Sequence, residues 1–206
     1  MSNRRLFEYG GVLAGVVLIA FGIGALALSL DARSTVTEEI EREQIVGSPD
    51  MSPEAIQAGI DEAGLDVEAP SCDVAEQPIE TGSDARCFSE YMRIHALESS
   101  GGLTYAQMGR FLVAEDPENP AGTNDEEAAL TDEEGNPVPN AARNTWVTET
   151  ALSTALNLSY MAEQLALFGI VVGIALVLSG VGFIVLALGG ALRHRSPPAS
   201  ATQRPA

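Results

Sequence analysis

Two long apolar runs, residues 10–30 and 165–192, lie near the two ends of this 206-residue chain. About 20 apolar residues cross a hydrocarbon core of roughly 30 Å, and both runs reach that length. Neither run contains a charged residue, and Ser29 and Ser179 are their only polar side chains. The sequence therefore predicts a mainly α-helical membrane protein in which each run forms one transmembrane helix.

The first run also has features of a secretory signal sequence. Arg4 and Arg5 give it a positive start, and Ala27-Leu28-Ser29 resembles a small-residue cleavage site. The apolar core of a signal is about 7 to 15 residues long, and this run is longer. No cysteine follows it to accept a lipid. We therefore expect an uncleaved anchor.

The arginines predict the orientation of the chain. Five of the eleven arginines lie in residues 1–9 and 193–206, whereas six are spread through residues 31–164 among 28 acidic residues. Arginine density near the spans sets topology, so both terminal tails are expected in the cytoplasm. Residues 31–164 then form an acidic extracytoplasmic domain. The two tails are too short to bury a core of their own.

Both apolar runs carry pairs of small residues four positions apart. Such pairs let two helix backbones approach closely in lipid, where no hydrophobic effect drives helices together. Glycine is also common in membrane helices, so these pairs need not have a packing role. The alternative is an antiparallel helical hairpin with surplus small-residue faces free for a partner. The pairs are Gly11 with Gly15, Ala20 with Gly24, Gly169 with Gly173 and Ala175 with Ser179.

The absence of ionisable residues from both runs limits the transport functions of the chain. Transporters and channels place such costly groups along their pathways. Glu163 and Gln164 lie just outside the second run, where interfacial water would solvate them. Unassisted transport is therefore not expected, whereas an accessory role in a larger membrane complex stays open.

The domain between the runs is predicted to be mostly helical. The weak spacing of apolar residues continues the first helix to about Val46. Ser52, followed by a proline, has the sequence of a helix start, and Gly64 gives a stop. These residues predict a helix over 53–63. The extended first helix is expected to pair with the returning helix outside the bilayer.

Two further short helices are predicted in the middle of the domain. Residues 84–98 form the first, capped by Ser83 and closed by two glycines. Thr104 and Gln107 have the spacing of a capping box, which opens a second helix toward Phe111.

The return helix is predicted to run without a breaker into the second apolar run. Asn140 or Asn144 could cap its start. Its apolar residues recur at helical spacing and so share one face. These residues are Val147, Ala151, Ala155, Leu158 and Met161.

Residues 115–139 are predicted to form an acidic, flexible loop. They contain nine acids, no base, four prolines and two glycines. The sequence Glu134-Gly135-Asn136-Pro137 could turn a small hairpin. Calcium binding is the functional alternative, but no glycine here stands in the frame of an EF-hand loop. Diffuse attraction of counter-ions is the favoured interpretation.

Cys72 and Cys87 are the only cysteines, and the predicted topology places both where disulfides persist. A disulfide between them is favoured over two free thiols. Their spacing matches neither a CxxC redox pair nor a zinc site.

His95 and Glu98 are three positions apart and share a helix face, which is the minimum geometry for a metal-ligand or acid/base pair. The other histidine, His194, belongs to the opposite side of the membrane by the predicted topology. We therefore interpret His95 as a packing or surface residue. No catalytic residue, cofactor-binding residue or metal ligand is predicted.

Residues 91–108, YMRIHALESSGGLTYAQM, and residues 144–168, NTWVTETALSTALNLSYMAEQLALF, resemble those of uncharacterised two-span envelope proteins of GC-rich, actinobacterial-type bacteria. The absence of lysine from the chain also suits a GC-rich source. Members are sometimes labelled automatically as aromatic ring-opening dioxygenases. The extradiol type of that enzyme uses two histidines and one carboxylate on iron, and only His95 is available outside the membrane. The resemblance thus implies membrane location alone.

Two classes of function follow from these features. The first is a non-catalytic structural or interaction subunit that docks onto a membrane complex or envelope component. The second is an extracytoplasmic ion- or ligand-sensing module that relays to a partner protein. The acidic domain favours cationic ligands and disfavours nucleic acid. The expected partners are the bilayer and other membrane or envelope proteins, and a homo-oligomer stays open.

Overall fold

The protein is mainly helical, as the sequence predicts. The computed structural model describes residues 3–189, with side chains from Glu8 onward. Residues 190–192 of the second run and the tail 193–206 with His194 lie outside this range. Within it there is no β-strand. The helices are α1 (Asn3–Arg42), α2 (Pro53–Ala63), α3 (Gly82–Ser99), a short 3₁₀ helix (Tyr105–Gln107) and α4 (Ala141–Leu188).

The chain divides into two compact units. The first contains the chain up to Asp31 and from Ala166 onward, and we call it the hairpin unit. The second, Ala32–Leu165, we call the acidic unit. Helices α1 and α4 each contain a segment that is long and apolar enough to cross a membrane.

Two antiparallel helices pack closely in the hairpin unit. A methyl group placed on Gly22 of α1 would lie 2.8 Å from the carbonyl oxygen of Gly173 of α4. One placed on Gly15 would lie 2.6 Å from the carbonyl oxygen of Gly180. The contacting glycines are seven positions apart on both helices, which is the period of a coiled-coil seam. Because glycine has no side chain, the two backbones can approach this closely.

The hairpin seam uses only part of the small-residue pattern. Gly15, Gly169 and Gly173 of the predicted pairs lie in it, and Gly169 packs against Ser29 of α1. In contrast, Gly24 has no atom within 4 Å of where a methyl group would stand. Ala175 and Ser179 are exposed as well. These outward-facing residues are therefore not used for pairing α1 with α4.

The acidic unit has an apolar core to which all four helices contribute. Met51 and Val74, from the loops that flank α2, complete it. A smaller cluster joins the end of α3 to the start of α4 through Leu97 and Trp146. The main cluster consists of Ile40, Met51, Ile56, Ile60, Val74, Ile79, Ala85, Cys87, Tyr91, Ile94 and Leu156.

Helix α2 has the bounds that the sequence predicts. The Ser52 side chain accepts a hydrogen bond from the backbone N–H of Ala55, and Pro53 occupies the first turn. Gly64 ends the helix in the left-handed conformation, with a φ of 63°. Ile56 and Ile60, one turn apart, face the core. The local signals that predicted this helix are therefore confirmed.

Helix α3 starts two residues earlier than predicted. Its cap is Thr81 and not Ser83, because Asp84 completes a capping box with Thr81. The region after α3 forms only the 3₁₀ turn Tyr105–Gln107, so the predicted helix toward Phe111 is wrong. The side chain of Gln107 nevertheless accepts from the backbone N–H of Thr104, as the predicted capping pair requires.

The disulfide Cys72–Cys87 is present. It ties the loop after α2 to the second turn of α3, and the two Cα atoms are 6.1 Å apart. The buried Tyr91, one turn further along α3, donates its hydroxyl to the carbonyl oxygen of Cys72 at 2.6 Å. The loop is thus held to α3 by one covalent bond and one hydrogen bond.

The acidic segment 115–139 folds back on the chain that precedes it. Phe111 bridges Thr123 and Pro139, and Val113 bridges Ala129. The turn that the sequence predicts at residues 134–137 is formed, since Thr131 pairs with Pro137 across it and Gly135 has a φ of 85°. The side chain of Asp132 accepts hydrogen bonds from backbone N–H groups of this turn. The hydrogen bond from the N–H of Asn136 is the main cause of the lowered pKa of Asp132.

Candidate functional site

Helix α4 turns a partly polar face toward the rest of the acidic unit. Trp146, Glu149, Leu156 and Glu163 are buried and recur at helical spacing. The apolar face that the sequence pattern identifies lies on the other side of the helix, where Val147, Leu158 and Met161 are exposed. The acidic unit therefore has exposed apolar surface on α4, and its grooves are the candidate sites.

An apolar groove of about 520 Å³ lies between the end of α1, α3 and α4. Phe88 and Met92 are one turn apart on α3, and Leu152 and Leu156 are one turn apart on α4. Leu152 is 47% exposed although it is apolar. The full lining is Glu39, Ile40, Glu43, Ile45, Phe88, Met92, Leu152, Ala155, Leu156 and Ser159.

The charged residues on the lining of the apolar groove are both acidic. Glu39 forms an ion pair with Arg42, and Glu43 lies one turn further along. The surrounding residues 31–164 contain 28 acids and only six arginines. A groove of apolar side chains edged by carboxylates suits the apolar face of a helix that carries basic residues. The adaptable side chain of Met92 suits such a contact.

A second groove, of about 490 Å³, is polar and lies between α3 and α4. The guanidinium of Arg86 stacks over the ring of Tyr160 at 4.9 Å and pairs with Glu90. Its hydrogen bond to Glu90 raises the pKa of Arg86, and Tyr160 contributes. Arg93 stacks over the ring of Trp146 at 5.0 Å. Two of the unit's few cations are thus fixed on aromatic rings beside this groove.

The polar groove also contains a buried carboxylate. Glu149 is 5% exposed and accepts hydrogen bonds from the hydroxyls of Ser153, at 2.8 Å, and Thr150, at 3.3 Å. Nearby, the amide of Asn157 donates to the hydroxyl of Ser89. The groove therefore presents hydroxyl, amide and carboxylate groups to a ligand.

Glu163 is buried rather than solvated. It is 5% exposed, and one of its oxygens lies 3.5 Å from Nε of Arg33. A methyl group on Gly82, at the start of α3, would lie 2.9 Å from its other oxygen and 2.7 Å from Cα of Tyr160. The start of α3 therefore lies directly against this carboxylate. The tight approach of α3 excludes the water that the sequence position alone led us to expect.

His95 lies between two carboxylates. Its Nδ1 is 2.8 Å from Glu98, the neighbour that the sequence spacing identifies, and its Nε2 is 3.5 Å from Asp50. The hydroxyl of Ser48 donates to Asp50, and this hydrogen bond is the main cause of the lowered pKa of Asp50, with His95 contributing. Because the two carboxylates contact opposite nitrogens of the ring, they do not converge on one metal position.

Several of these contacts have no signal in the sequence. Asp50 is 45 positions from His95, and the residues of each groove come from separate helices. The pairs Phe88 with Met92 and Leu152 with Leu156 could have indicated apolar faces, because each pair is four residues apart. Within residues 8–189, no group of three or more histidine, cysteine, aspartate or glutamate residues could hold a metal ion.

Comparison of the chain with protein families, with curated proteins and with solved structures gives no match.

Proposed function

We propose that this protein is a two-span integral membrane protein that acts as a non-catalytic interaction subunit. The apolar segments of α1 and α4 form the membrane anchor, both termini are cytoplasmic, and the acidic unit lies outside the cell membrane. The acidic unit docks onto a membrane complex or envelope component. The arginine-rich tails and the charge-free apolar runs support this arrangement.

The observation that carries the docking function is the apolar groove edged by Glu39 and Glu43. Exposed apolar side chains such as Leu152 cost free energy in water unless a partner covers them. The partner's chemistry follows from the groove: an amphipathic helix with an apolar face and basic flanks. The acidic surface disfavours nucleic acid as a partner.

A non-catalytic role is supported by the arrangement of the titratable groups. The Ser48 hydroxyl donates to the carboxylate of Asp50, Nδ1 of His95 lies 2.8 Å from Glu98, and Nε2 of His95 lies 3.5 Å from Asp50. A hydroxyl that donates to a histidine is a common nucleophile pair in covalent catalysis, whereas this cluster pairs its hydroxyl with a carboxylate. Neither groove brings His95 together with a hydroxyl.

Cross-linking in native membranes tests the docking function. A tagged full-length chain is cross-linked, purified in detergent and examined for a protein present in stoichiometric amount. Leu152→Glu is expected to abolish recovery of that protein, because the new carboxylate enters the apolar groove. Val46→Glu is the matched control, since Val46 is 58% exposed and does not line the groove. Equal recovery from both variants, or recovery of no partner, would contradict the proposal.

A ligand-sensing role is the second candidate, and the polar groove favours it. Glu149 is buried there and accepts hydrogen bonds from two neutral hydroxyls, so its charge could stabilise a bound cation or amine. The test is the melting temperature of the full-length protein in detergent with millimolar Ca²⁺, Mg²⁺ or spermidine. This role predicts a rise that Glu149→Gln abolishes. No rise with any of the three would exclude cation sensing at this groove.

A further inference from the structure

The polar groove between α3 and α4 is lined by four charged side chains, two of each sign. Arg86 and Glu90 form an ion pair with each other. The other two are Arg93 and Glu149, and neither forms an ion pair with any residue that the structure describes. The polar groove therefore carries one uncompensated charge of each sign.

These two uncompensated charges border the same end of the groove. The facing helices run in opposite directions, since Ser89 contacts Asn157 and Arg93, further along α3, contacts Trp146, earlier on α4. Glu149 follows Trp146 by three residues, which is a rise of about 4.5 Å along α4. The guanidinium of Arg93 thus lies over the turn of α4 that leads into Glu149.

The carboxylate of Glu149 lacks the partner that a buried charge normally has. The residue is 5% exposed, and the hydroxyls of Ser153 and Thr150 donate to it at 2.8 Å and 3.3 Å. These neutral donors replace part of its hydration but do not compensate its charge. Acidic side chains are almost never buried unless they are paired, because desolvation of an isolated charge is costly. A positive group in the groove would supply the missing partner.

The guanidinium of Arg93 is held in place by Trp146. It stacks over the indole ring at 5.0 Å, and the ring is fixed because it is 3% exposed and its N–H donates to the carbonyl oxygen of Leu103 at 2.7 Å. A stacked guanidinium keeps its N–H donors at the edge of its plane, where their fork matches the two oxygens of a carboxylate. Arg93 is therefore preorganised to bind a carboxylate.

We propose that the polar groove binds the head group of an α-amino acid. The carboxylate of the ligand binds Arg93, and its ammonium group binds Glu149. This proposal deepens the ligand-sensing role and rests on it.

Other classes of ligand compensate only part of the charge in this groove. A metal ion or a polyamine compensates Glu149 but is repelled by Arg93, and a phosphate meets the reverse situation. A neutral sugar compensates neither residue. An amino acid carries both charges on one carbon and has no net charge, so it also enters an acidic unit without electrostatic penalty.

The rest of the groove has room for the side chain of the ligand. Its volume is about 490 Å³. Beyond Glu149 it offers the hydroxyl of Thr154 and the amide of Asn157, and its far end is apolar, with Leu158 and Met161 each 58% exposed. The groove thus accepts a polar or an apolar side chain, so the head group is the feature that it recognises.

Fluorescence titration of the full-length protein in detergent tests this proposal. Trp146 is the only tryptophan of the chain and lies directly beneath Arg93, so its emission reports a ligand there. Glycine, L-glutamine and L-leucine are the probes, and at least one is expected to give a saturable change at millimolar concentration. The N-acetyl form, which lacks the ammonium group, and the amide form, which lacks the carboxylate, are expected to give none. No response to any probe, or equal responses to all three forms, would overturn the proposal.

Two arginine variants locate the response in the groove. Arg93→Gln is expected to weaken binding by about tenfold or more, because it removes the partner of the ligand's carboxylate. Arg110→Gln is the matched control, since Arg110 also stacks over an aromatic ring at 5.0 Å but does not line the groove. Affinity is measured from the melting temperature at increasing ligand, and the melting temperature without ligand verifies that each variant folds. Equal affinities of the two variants would contradict the assignment.

The same variants separate this proposal from the functions on which it builds. Cation sensing predicts that Arg93→Gln keeps or increases the response to Ca²⁺, Mg²⁺ or spermidine, because the substitution removes a like charge from the groove. A cation response without any amino-acid response would therefore leave cation sensing standing and remove the amino-acid site. Recovery of a cross-linked partner without an amino-acid response would leave the docking function standing and remove the site in the same way.

Discussion

The hairpin unit packs through its backbone, whereas the acidic unit packs through side chains and a covalent bond. In the hairpin unit, Gly22 and Gly173 bring two helices into near contact at their main chains. In the acidic unit, an apolar cluster, the Cys72–Cys87 disulfide and the buried Tyr91 hold the loops and helices together. In the lipid proposed for the hairpin unit, burying apolar side chains brings no hydrophobic stabilisation, so close backbone approach supplies the attraction. In water their burial supplies it.

The largest effect is expected at the hairpin seam. In Gly22→Leu, even the first side-chain carbon would stand 2.8 Å from the carbonyl oxygen of Gly173, so the helices must separate, at a cost of about 3 kcal/mol. Gly24→Leu is the control two positions away, where nothing lies within 4 Å. The measurement is the midpoint of unfolding in mixed detergent micelles containing increasing sodium dodecyl sulfate. Equal midpoints would show that the glycine seam does not hold the helices.

The disulfide is expected to have an effect of similar size, and only on the acidic unit. Its removal in the double variant Cys72→Ala/Cys87→Ala frees a loop of about 15 residues and costs about 3 kcal/mol by the chain-entropy estimate. Trp146 is buried in the acidic unit, so its fluorescence reports unfolding there. Reductant should lower the melting temperature of the wild type and leave the double variant unchanged. An equal decrease in the melting temperature of both proteins on adding reductant would show that the disulfide is not the cause.

A smaller effect is expected from Tyr91→Phe. The carbonyl oxygen of Cys72 loses its hydrogen bond, which costs about 1–2 kcal/mol. Tyr105→Phe is the control, because Tyr105 is exposed, and it should change stability by less than about 0.5 kcal/mol. Chemical denaturation at neutral pH, followed by Trp146 fluorescence, measures both variants.

Tyr91 also predicts a pH dependence. Burial raises the pKa of Tyr91, and Asp73 and Glu90 contribute. The unfolded chain therefore ionises first, at a pH of about 10, while the folded chain keeps the proton. The stabilisation is complete below that pH and is lost as the pH rises through the folded pKa. Tyr91→Phe should show a shallower alkaline loss of stability than the wild type, and equal slopes would contradict this cause.

The smallest predicted effect distinguishes the two candidate caps of α3. Thr81→Ala removes the capping box and should cost about 1 kcal/mol. Ser83→Ala lies inside the helix and should change stability by less than about 0.5 kcal/mol. Denaturation of both variants under the same conditions measures the difference. A larger loss for Ser83→Ala would support the helix start that the sequence alone predicted.

Local signals in the sequence predicted which helices form better than they predicted where each helix ends or which of its faces is buried. The cap and stop of α2 were predicted correctly, because Ser52, Pro53 and Gly64 act within one turn of the helix. The predicted cap of α3, Ser83, was wrong, because Asp84 forms a capping box with Thr81, two positions earlier. Helix α1 ends at Arg42 and not at Val46, which instead bridges Pro78.

The candidate sites depend on contacts that no local pattern contains. The sequence pattern grouped Val147, Leu158 and Met161 on one face of α4, and the fold places that face outward. Glu149 and Glu163 are carried inward instead, where hydroxyls and Arg33 compensate part of their charge. Which face of a helix is covered depends on the elements that pack against it. The spacing of apolar residues shows that a helix has an apolar face but not whether that face is buried or exposed.

The sequence by itself determined the two apolar helices, the helical class, the acidic charge of the intervening unit and the availability of one cysteine pair. Each of these depends on composition or on residues within a few positions of one another. Only the tertiary structure decided that Gly22 rather than Gly24 lies in the hairpin seam, that the hydroxyl of Tyr91 bonds Cys72, and that the apolar face of α4 with Leu158 and Met161 is exposed. These choices depend on the packing of distant segments, and the same local sequence is compatible with either outcome.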